Sequence, residues 1–225
     1  MTRHSSRTAP TVKAVGSKVL VAMSGGVDSS AAALLLKERD YDCIGCTMKL
    51  YDNEDAGINH RRICCSLDDI EDARAAAFRL GIPYYVFNFQ EDFRKAVIEK
   101  FSDSYENGLT PNPCIDCNRY LKFGRLLERA RVLGYDYLAT GHYARIEERD
   151  GHYLLKKALD ESKDQSYFLY AMTQGQLART LFPLGELRKA EIRRLAEERG
   201  LSNARKPDSQ DICFVPDGDY AAAVE

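Results

Sequence analysis

The sequence predicts an α/β fold: a parallel sheet with helices on both faces, followed by a small hairpin and a helical segment. Between residues 18 and 140, short apolar runs alternate with stretches of helical period, the rhythm of βαβ units. After Thr140 that rhythm gives way to a hairpin signal and then to helices. Composition sets the scale. With 225 residues, 44% hydrophobic and 29% charged, the chain suits a soluble protein with a sizeable core and excludes collagen-like, low-complexity and disordered classes.

Taken in order, residues 1–18 hold Arg3, Arg7, Lys13 and Lys18, no acid and no apolar periodicity, so residues 1–17 are expected to form a flexible basic arm. Strands are expected over 19–23, 43–50, 84–89 and 137–140, and helices over 27–39, 67–80, 92–105 and 119–133. The runs 144–146 and 152–156 flank Asp150-Gly151, a pair suited to a tight hairpin turn. Helices then follow over 165–171, 174–181 and 189–199, with Gly200 placed to end the last one in the left-handed region. This organisation reads as a nucleotide-type domain over 18–150 and a hairpin and helical segment over 151–225. A parallel sheet places its ligands outside the carboxyl ends of its strands, so the chemistry belongs there.

Lysine and arginine number 32 against 34 acids, and a net charge of -2 gives no overall basicity. Locally the picture differs. Residues 118–131 carry five basic and one acidic side chain, residues 151–206 carry eleven against seven, and residues 1–20 add four unopposed cations. Each segment nets +4, which suits contacts that follow a phosphate backbone without reading its sequence. The face of Lys122, Arg125 and Arg129 is the better candidate because it directly follows Cys117.

Seven cysteines, an odd count, occur without a secretory h-region, since the early run 19–23 is too short. The reading is a reducing cytoplasm, and no stretch reaches the 18 apolar residues or so that would span a membrane. Cys114-Ile115-Asp116-Cys117 lies in a proline-stiffened loop just before a helix, where the helix dipole favours thiolate, and Cys213 is the next thiol available to join the pair. Cys43, Cys46, Cys64 and Cys65 read as small buried hydrophobes.

Ser24-Gly25-Gly26-Val27-Asp28-Ser29-Ser30 links a strand to an Ala/Leu-rich helix, where successive N–H groups suit a phosphate chain, or where Asp28 or Ser29 merely caps the helix. The lysine of a Walker A loop is absent, which argues against γ-phosphoryl transfer. This unit resembles the pyrophosphatase loop of N-type ATP pyrophosphatases, whose sheet is Rossmann-like and of the adenine nucleotide alpha hydrolase kind. The resemblance implies ATP with Mg2+ held by Ala22, Met23, Ser24, Gly25, Gly26, Val27, Asp28, Ser29, Ser30, Met48 and Gly141, with Asp28 serving the chemistry. Read from the residue alone, Met48 is a core side chain.

Further segments narrow the resemblance. The loop, Cys64-Cys65-Ser66, Thr110-Pro111-Asn112-Pro113 with Cys117-Asn118, Lys122-Phe123, Ala139-Thr140-Gly141-His142-Tyr143, Lys163-Asp164-Gln165-Ser166-Tyr167 and Asp208-Ser209-Gln210-Asp211-Ile212-Cys213-Phe214 occur together, in that order, as in tRNA-specific 2-thiouridylases. The resemblance implies adenylylation of the C2 oxygen of the wobble uridine in the tRNA anticodon loop, then displacement of AMP by sulfur. Cys213 would carry a persulfide supplied by a protein of the cysteine desulfurase or sulfur relay type, and Cys117 would attack Cys213. Asn112, Pro113 and Cys114 would flank the target base, and His142, Lys163, Asp164 and Gln165 would contact tRNA. Tyr120, Phe123 or Tyr143 would stack on the extruded base.

Many relatives carry Asp-x-x-Cys where this chain has Cys114-x-x-Cys117. Cys114, Cys117 and Cys213 would then supply three ligands of a [4Fe-4S] cluster, a second mechanism beside the persulfide one. Relatives also continue into a linking domain and a β-barrel, so the chain is expected to be cut short before them. Two other readings compete. Another ATP pyrophosphatase, a tRNA thiolase of different position or an amide synthetase, would differ in its acceptor, and the synthetase would need neither Cys117 nor Cys213. A non-catalytic nucleotide or Fe-S binding module would bind ATP without tRNA-linked pyrophosphate release.

Overall fold

Alternation within one strand decides the layering. In β1 (Lys18–Ala22), Val19 and Val21 enter one buried cluster with Met23, whereas Leu20 enters another. The computed structural model describes residues 16–51, 67–208 and 212–215. It pairs β1 with β2 (Asp42–Lys49) on one side and β4 (Tyr137–Ala139) on the other, and register sets Leu20 between Ile44 and Leu138. Outside β2 lies β3 (Tyr84–Asn88). A separate hairpin, β5 (Ala144–Arg149) with β6 (His152–Lys157), follows β4, and β7 (Thr180–Leu181) then closes the far edge of the sheet. The order is β3-β2-β1-β4-β7 with every pairing parallel. The chain first moves from β1 towards β3 and then crosses back to β4, so the sheet reverses direction between β1 and β4. That reversal opens a crevice at their carboxyl ends.

Helices cover both faces, as expected. On one face lie α1 (Val27–Lys37) and α2 (Leu67–Leu80), whose Ala33, Leu34, Leu36, Ala73, Ala76 and Ala77 pack on β1. Small alanines there let helix and strand approach closely. On the other face one helical run comprises α3 (Gln90–Phe93), a π-type stretch (Arg94–Ile98) and α4 (Glu99–Glu106). A second comprises α5 (Pro113–Asp116), a π-type stretch (Cys117–Leu126) and α6 (Leu127–Val132). Phe93, Leu121, Phe123 and Leu126 are at most 1% exposed, each side chain contributing about 1.5–3 kcal/mol by burial. Finally α7 (Gln174–Ala178) precedes β7, and α8 (Lys189–Glu198) returns to α1, with Ala196 in the first cluster and Ile192 against Ala31 and Ala32.

Three expected helices differ. The one over 174–181 stops at Ala178, because Thr180 and Leu181 extend the sheet by pairing with Leu138 and Ala139. In place of the one over 165–171, a 3-10 turn forms over Ser166–Leu169, since the Asp164 carboxylate accepts the Ser166 N–H and hydroxyl and competes with helical bonding. The helix expected over 119–133 begins earlier, at Pro113, where Asn112 caps it. Asp150 and Gly151 both take positive φ in the hairpin turn, and Gly200 does so after α8. Cys64, Cys65, Ser66 and most of the basic arm lie outside the described residues. Among those residues no helix is long and apolar enough to cross a membrane.

Candidate active site

The Ser24–Ser30 loop lies in the crevice between β1 and β4. Thr47 of β2 donates its hydroxyl to the Met23 carbonyl at 2.6 Å, which fixes the chain as it leaves β1. Gly25 has φ +77, and a Cβ there would lie 2.3 Å from the Asp69 carbonyl oxygen, so only glycine lets the loop touch the start of α2. Gly26 is the N-cap of α1 and provides no side-chain cap, leaving the first N–H groups of the helix to an outside acceptor. Ser29 and Ser30 donate their hydroxyls to the Gly26 carbonyl at 3.1 and 3.2 Å. Gly141, just past β4, closes the site from the other side: its Cβ would lie 2.8 Å from backbone atoms of Asp28 and Ser29.

Asp28 sits in a partly buried charge network. Lys189, 8% exposed, donates to both Asp28 carboxylate oxygens at 2.7 Å and to Asp208 at 2.8 Å. The Tyr143 hydroxyl donates to Asp28 at 2.8 Å. Burial and the Asp28 charge raise the Tyr143 phenol far above its ordinary range, so it is a fixed donor. Asp208 also accepts from Lys163 and Arg193, both at 2.9 Å. Burial alone would raise the Asp208 carboxyl, but the hydrogen bonds from Lys189 and Lys163 hold it down at about 2. Two residues before it, Lys206 binds Asp69 and Asp72 of α2 at 2.7 and 2.5 Å. The segment leading to Cys213 is thus stitched to the loop and to the first turns of α1 and α2.

The thiols are placed by the other face of the sheet. Cys117 opens the π-type stretch after α5, and Cys213 stands in the segment 212–215; both are partly buried against the second cluster. Phe214 packs on Phe93 and Phe101 at 5.8 and 5.1 Å, and the Tyr51 hydroxyl, just beyond β2, donates to the Cys213 carbonyl at 3.4 Å. Cys114 is exposed instead. Among the described residues no three His, Cys, Asp or Glu side chains are grouped to hold a metal ion. The expected trio of cluster ligands is thus not grouped among the described residues: Cys114 is exposed, whereas Cys117 and Cys213 are partly buried against the second cluster.

The segments matched to RNA contact have internal partners. Asn112 accepts the Cys114 N–H at 3.1 Å, and Pro113 is buried behind it. His142 lies between Phe123 and Phe182, with Nδ1 2.7 Å from the Thr140 hydroxyl; desolvation and the nearby Lys122 charge hold its pKa well below 6.5. Gln165 accepts the Tyr143 N–H at 3.0 Å and donates its own N–H to the Tyr143 carbonyl, and Asp164 accepts the Ala158 N–H at 2.8 Å. Of the three aromatic rings expected to stack on a base, Phe123 and Tyr143 are buried and so unsuited to it. Tyr120 is 39% exposed, with Arg119 and Lys100 over its ring. Met48 is buried in the second cluster, the core placement its residue type suggested. Arg125 pairs with Asp92 and Arg129 covers Phe87, both on the exposed face expected to meet RNA.

A profile of the tRNA methyl transferase HUP domain matches residues 17–217. The chain belongs to that family. Within it, similarity is high to a tRNA-specific 2-thiouridylase MnmA of Clostridium acetobutylicum, 52% identical over 208 residues, or 92% of this chain and 59% of that protein. The same-named protein of Clostridioides difficile is 53% identical over 210 residues, 92% of this chain and 58% of its own. The chain thus spans about three fifths of the length of the curated family members it matches. A solved 4-thiouridine synthetase–RNA complex with bound ATP shares the fold, with a TM-score of 0.56 at 18% identity over 89% of this chain and 46% of that one.

Lys189 and Asn203 were not singled out from the sequence, Asp208 stood there only as part of a matched segment, and Tyr143 only as one of three rings for base stacking. Tyr143 and Asp208 stand inside matched segments, which was an available signal. Lys189 and Asn203 reach the loop from 161 and 178 residues away, and no local pattern marks them.

Proposed function

We propose that the protein catalyses ATP-dependent 2-thiolation of the wobble uridine of tRNA, acting as a tRNA-uridine 2-sulfurtransferase in the cytoplasm. The observation that carries this is identity of about one half, across 92% of the chain, to curated 2-thiouridylases. The loop geometry supports an ATP role. The open N–H groups at the start of α1 and the helix dipole suit the phosphates of ATP, and the Asp28 and Asp208 carboxylates offer hard oxygen donors of the kind Mg2+ takes, on either side of Lys189. Bound Mg2+ would neutralise phosphate charge.

In this reading the uridine C2 oxygen attacks the α-phosphorus of ATP and pyrophosphate leaves, which turns a poor leaving group into AMP. Cys213 holds a persulfide received from a protein of the cysteine desulfurase or sulfur relay type. Its terminal sulfur attacks C2, AMP departs with the oxygen, and a C2–S–S–Cys213 adduct remains. The Cys117 thiolate attacks the Cys213 sulfur, forming a Cys117–Cys213 disulfide and releasing 2-thiouridine; an external thiol then reduces the disulfide. Packing of both cysteines on one cluster supports their pairing. Tyr120, Arg119, Lys122 and the exposed arginines of residues 119–131 serve the anticodon loop, and Asn112, Pro113 and Cys114 lie at the start of that helix. His142, Lys163, Asp164 and Gln165 act by shaping the surface tRNA meets.

The test is 2-thiouridine formation, read by mass spectrometry of digested tRNA. The product should require the chain, ATP and a persulfide donor together. Its absence with all three present, for a protein that binds ATP and tRNA, would overturn the proposal.

A further inference from the structure

The amide of Asn203 grips the anion loop from behind. Its Nδ2 donates to the Gly25 carbonyl and to the Ser30 hydroxyl, both at 2.9 Å, and the residue is 3% exposed. We infer that Asn203 is a positioning residue for nucleotide binding, acting by fixing the Gly25–Gly26 peptide so that its N–H faces the phosphates. This rests on the ATP role proposed above.

The peptide between two glycines has little steric preference for either of its two orientations, and Gly25 already occupies the left-handed region. In a planar trans peptide the carbonyl and N–H point in opposite directions. A donor that holds the Gly25 oxygen on the protein side therefore directs the Gly26 N–H to the open side. The second hydrogen of the amide holds Ser30, whose hydroxyl in turn donates to the Gly26 carbonyl at 3.2 Å. One side chain thus fixes the peptides on both sides of Gly26.

Asn203 is itself rigidly held. Leu201 and Ala204, on either side of it, are buried in the cluster shared by β1, α1, α2 and α8. The Ala204 N–H donates to the Leu201 carbonyl at 3.1 Å, and Arg193 donates to the carbonyls of Ala204 and Lys206 at 3.3 and 3.2 Å. The Asn203 Oδ1 is buried without a hydrogen-bond partner. An unmatched buried acceptor disfavours the fold, so the residue is explained by what its Nδ2 does for the loop and not by its own contribution to stability.

The experiment is calorimetric titration of the chain and of Asn203→Ala with Mg·ATP and, separately, with inorganic pyrophosphate. The Kd for both should rise on the order of tenfold, the effect of losing one to two well-placed hydrogen bonds, while the Kd for tRNA stays within twofold of the parent. Asn203→Leu fills the same volume without a donor and should behave alike; it serves if the alanine variant fails to fold. A merely structural role would lower the fraction of protein that binds while leaving Kd unchanged. Variants that bind Mg·ATP and pyrophosphate as tightly as the parent would overturn the assignment of Asn203 alone. A parent that binds neither would overturn the ATP role and this inference with it.

Discussion

Replacing Asp208 by Asn removes the negative centre shared by Lys163, Lys189 and Arg193 while keeping side-chain size. The Asp208 carboxyl is depressed from 3.8 to about 2 in the folded protein. That shift corresponds to about 2 kcal/mol, and water reaching part of the side chain reduces it to roughly 1 kcal/mol. The sign follows from the depression: the stabilisation is complete above pH 3.8, where the unfolded chain is ionised, and is lost as pH falls towards 2. Asp208→Asn should therefore be less stable than the parent by roughly 1 kcal/mol at pH 7, and the gap should shrink to about half by pH 3. Urea unfolding of both proteins at pH 7, 5, 4 and 3 measures it. A gap that is constant from pH 7 to pH 3, or that widens in acid, would refute the account of the network.

Gly141→Ala places a methyl group 2.8 Å from backbone atoms of Asp28 and Ser29, which no side-chain rotation relieves. It should cost about 1–3 kcal/mol in urea unfolding and weaken Mg·ATP binding; a variant matching the parent in both would show that β4 and α1 do not need this approach. For His142 the folded pKa lies well below 6.5, so the unfolded chain takes up the proton first and the parent loses stability as pH falls below 6.5. His142→Phe should lack that loss, and equal slopes for the two proteins between pH 6.5 and 5 would contradict the desolvated imidazole.

What the sequence made legible was local. The loop could be read because its glycines, Asp28 and serines are adjacent and sit between an apolar strand and an alanine-rich helix. The helix over Leu67–Leu80 and the turn at Asp150-Gly151 were equally legible, since period and positive-φ residues are written into the sequence. β7 was not, because a two-residue strand exists only through pairing with β4, and its Thr180 and Leu181 continue a helical pattern. His142 was placed at an RNA surface by its motif, whereas its surroundings come from Phe123 and Phe182, brought together by folding. Cys43 and Cys46, read as small buried hydrophobes, are buried, whereas Cys117 and Cys213 are partly buried against the second cluster. Exposure of Cys114, next to the cap at Asn112, could not be read from spacing. Lys189 and Asn203 looked like ordinary residues of a helix and a turn until tertiary contact set them against the loop.

The most direct test of the central claim is pyrophosphate release from ATP by the parent chain and by Cys213→Ala, each with and without tRNA. In the proposed reaction adenylylation precedes sulfur transfer, so both proteins should release pyrophosphate only when tRNA is present, and only the parent, given a persulfide donor, should leave 2-thiouridine in the tRNA. Pyrophosphate release that is indifferent to tRNA, or 2-thiouridine formed by Cys213→Ala, would contradict the account.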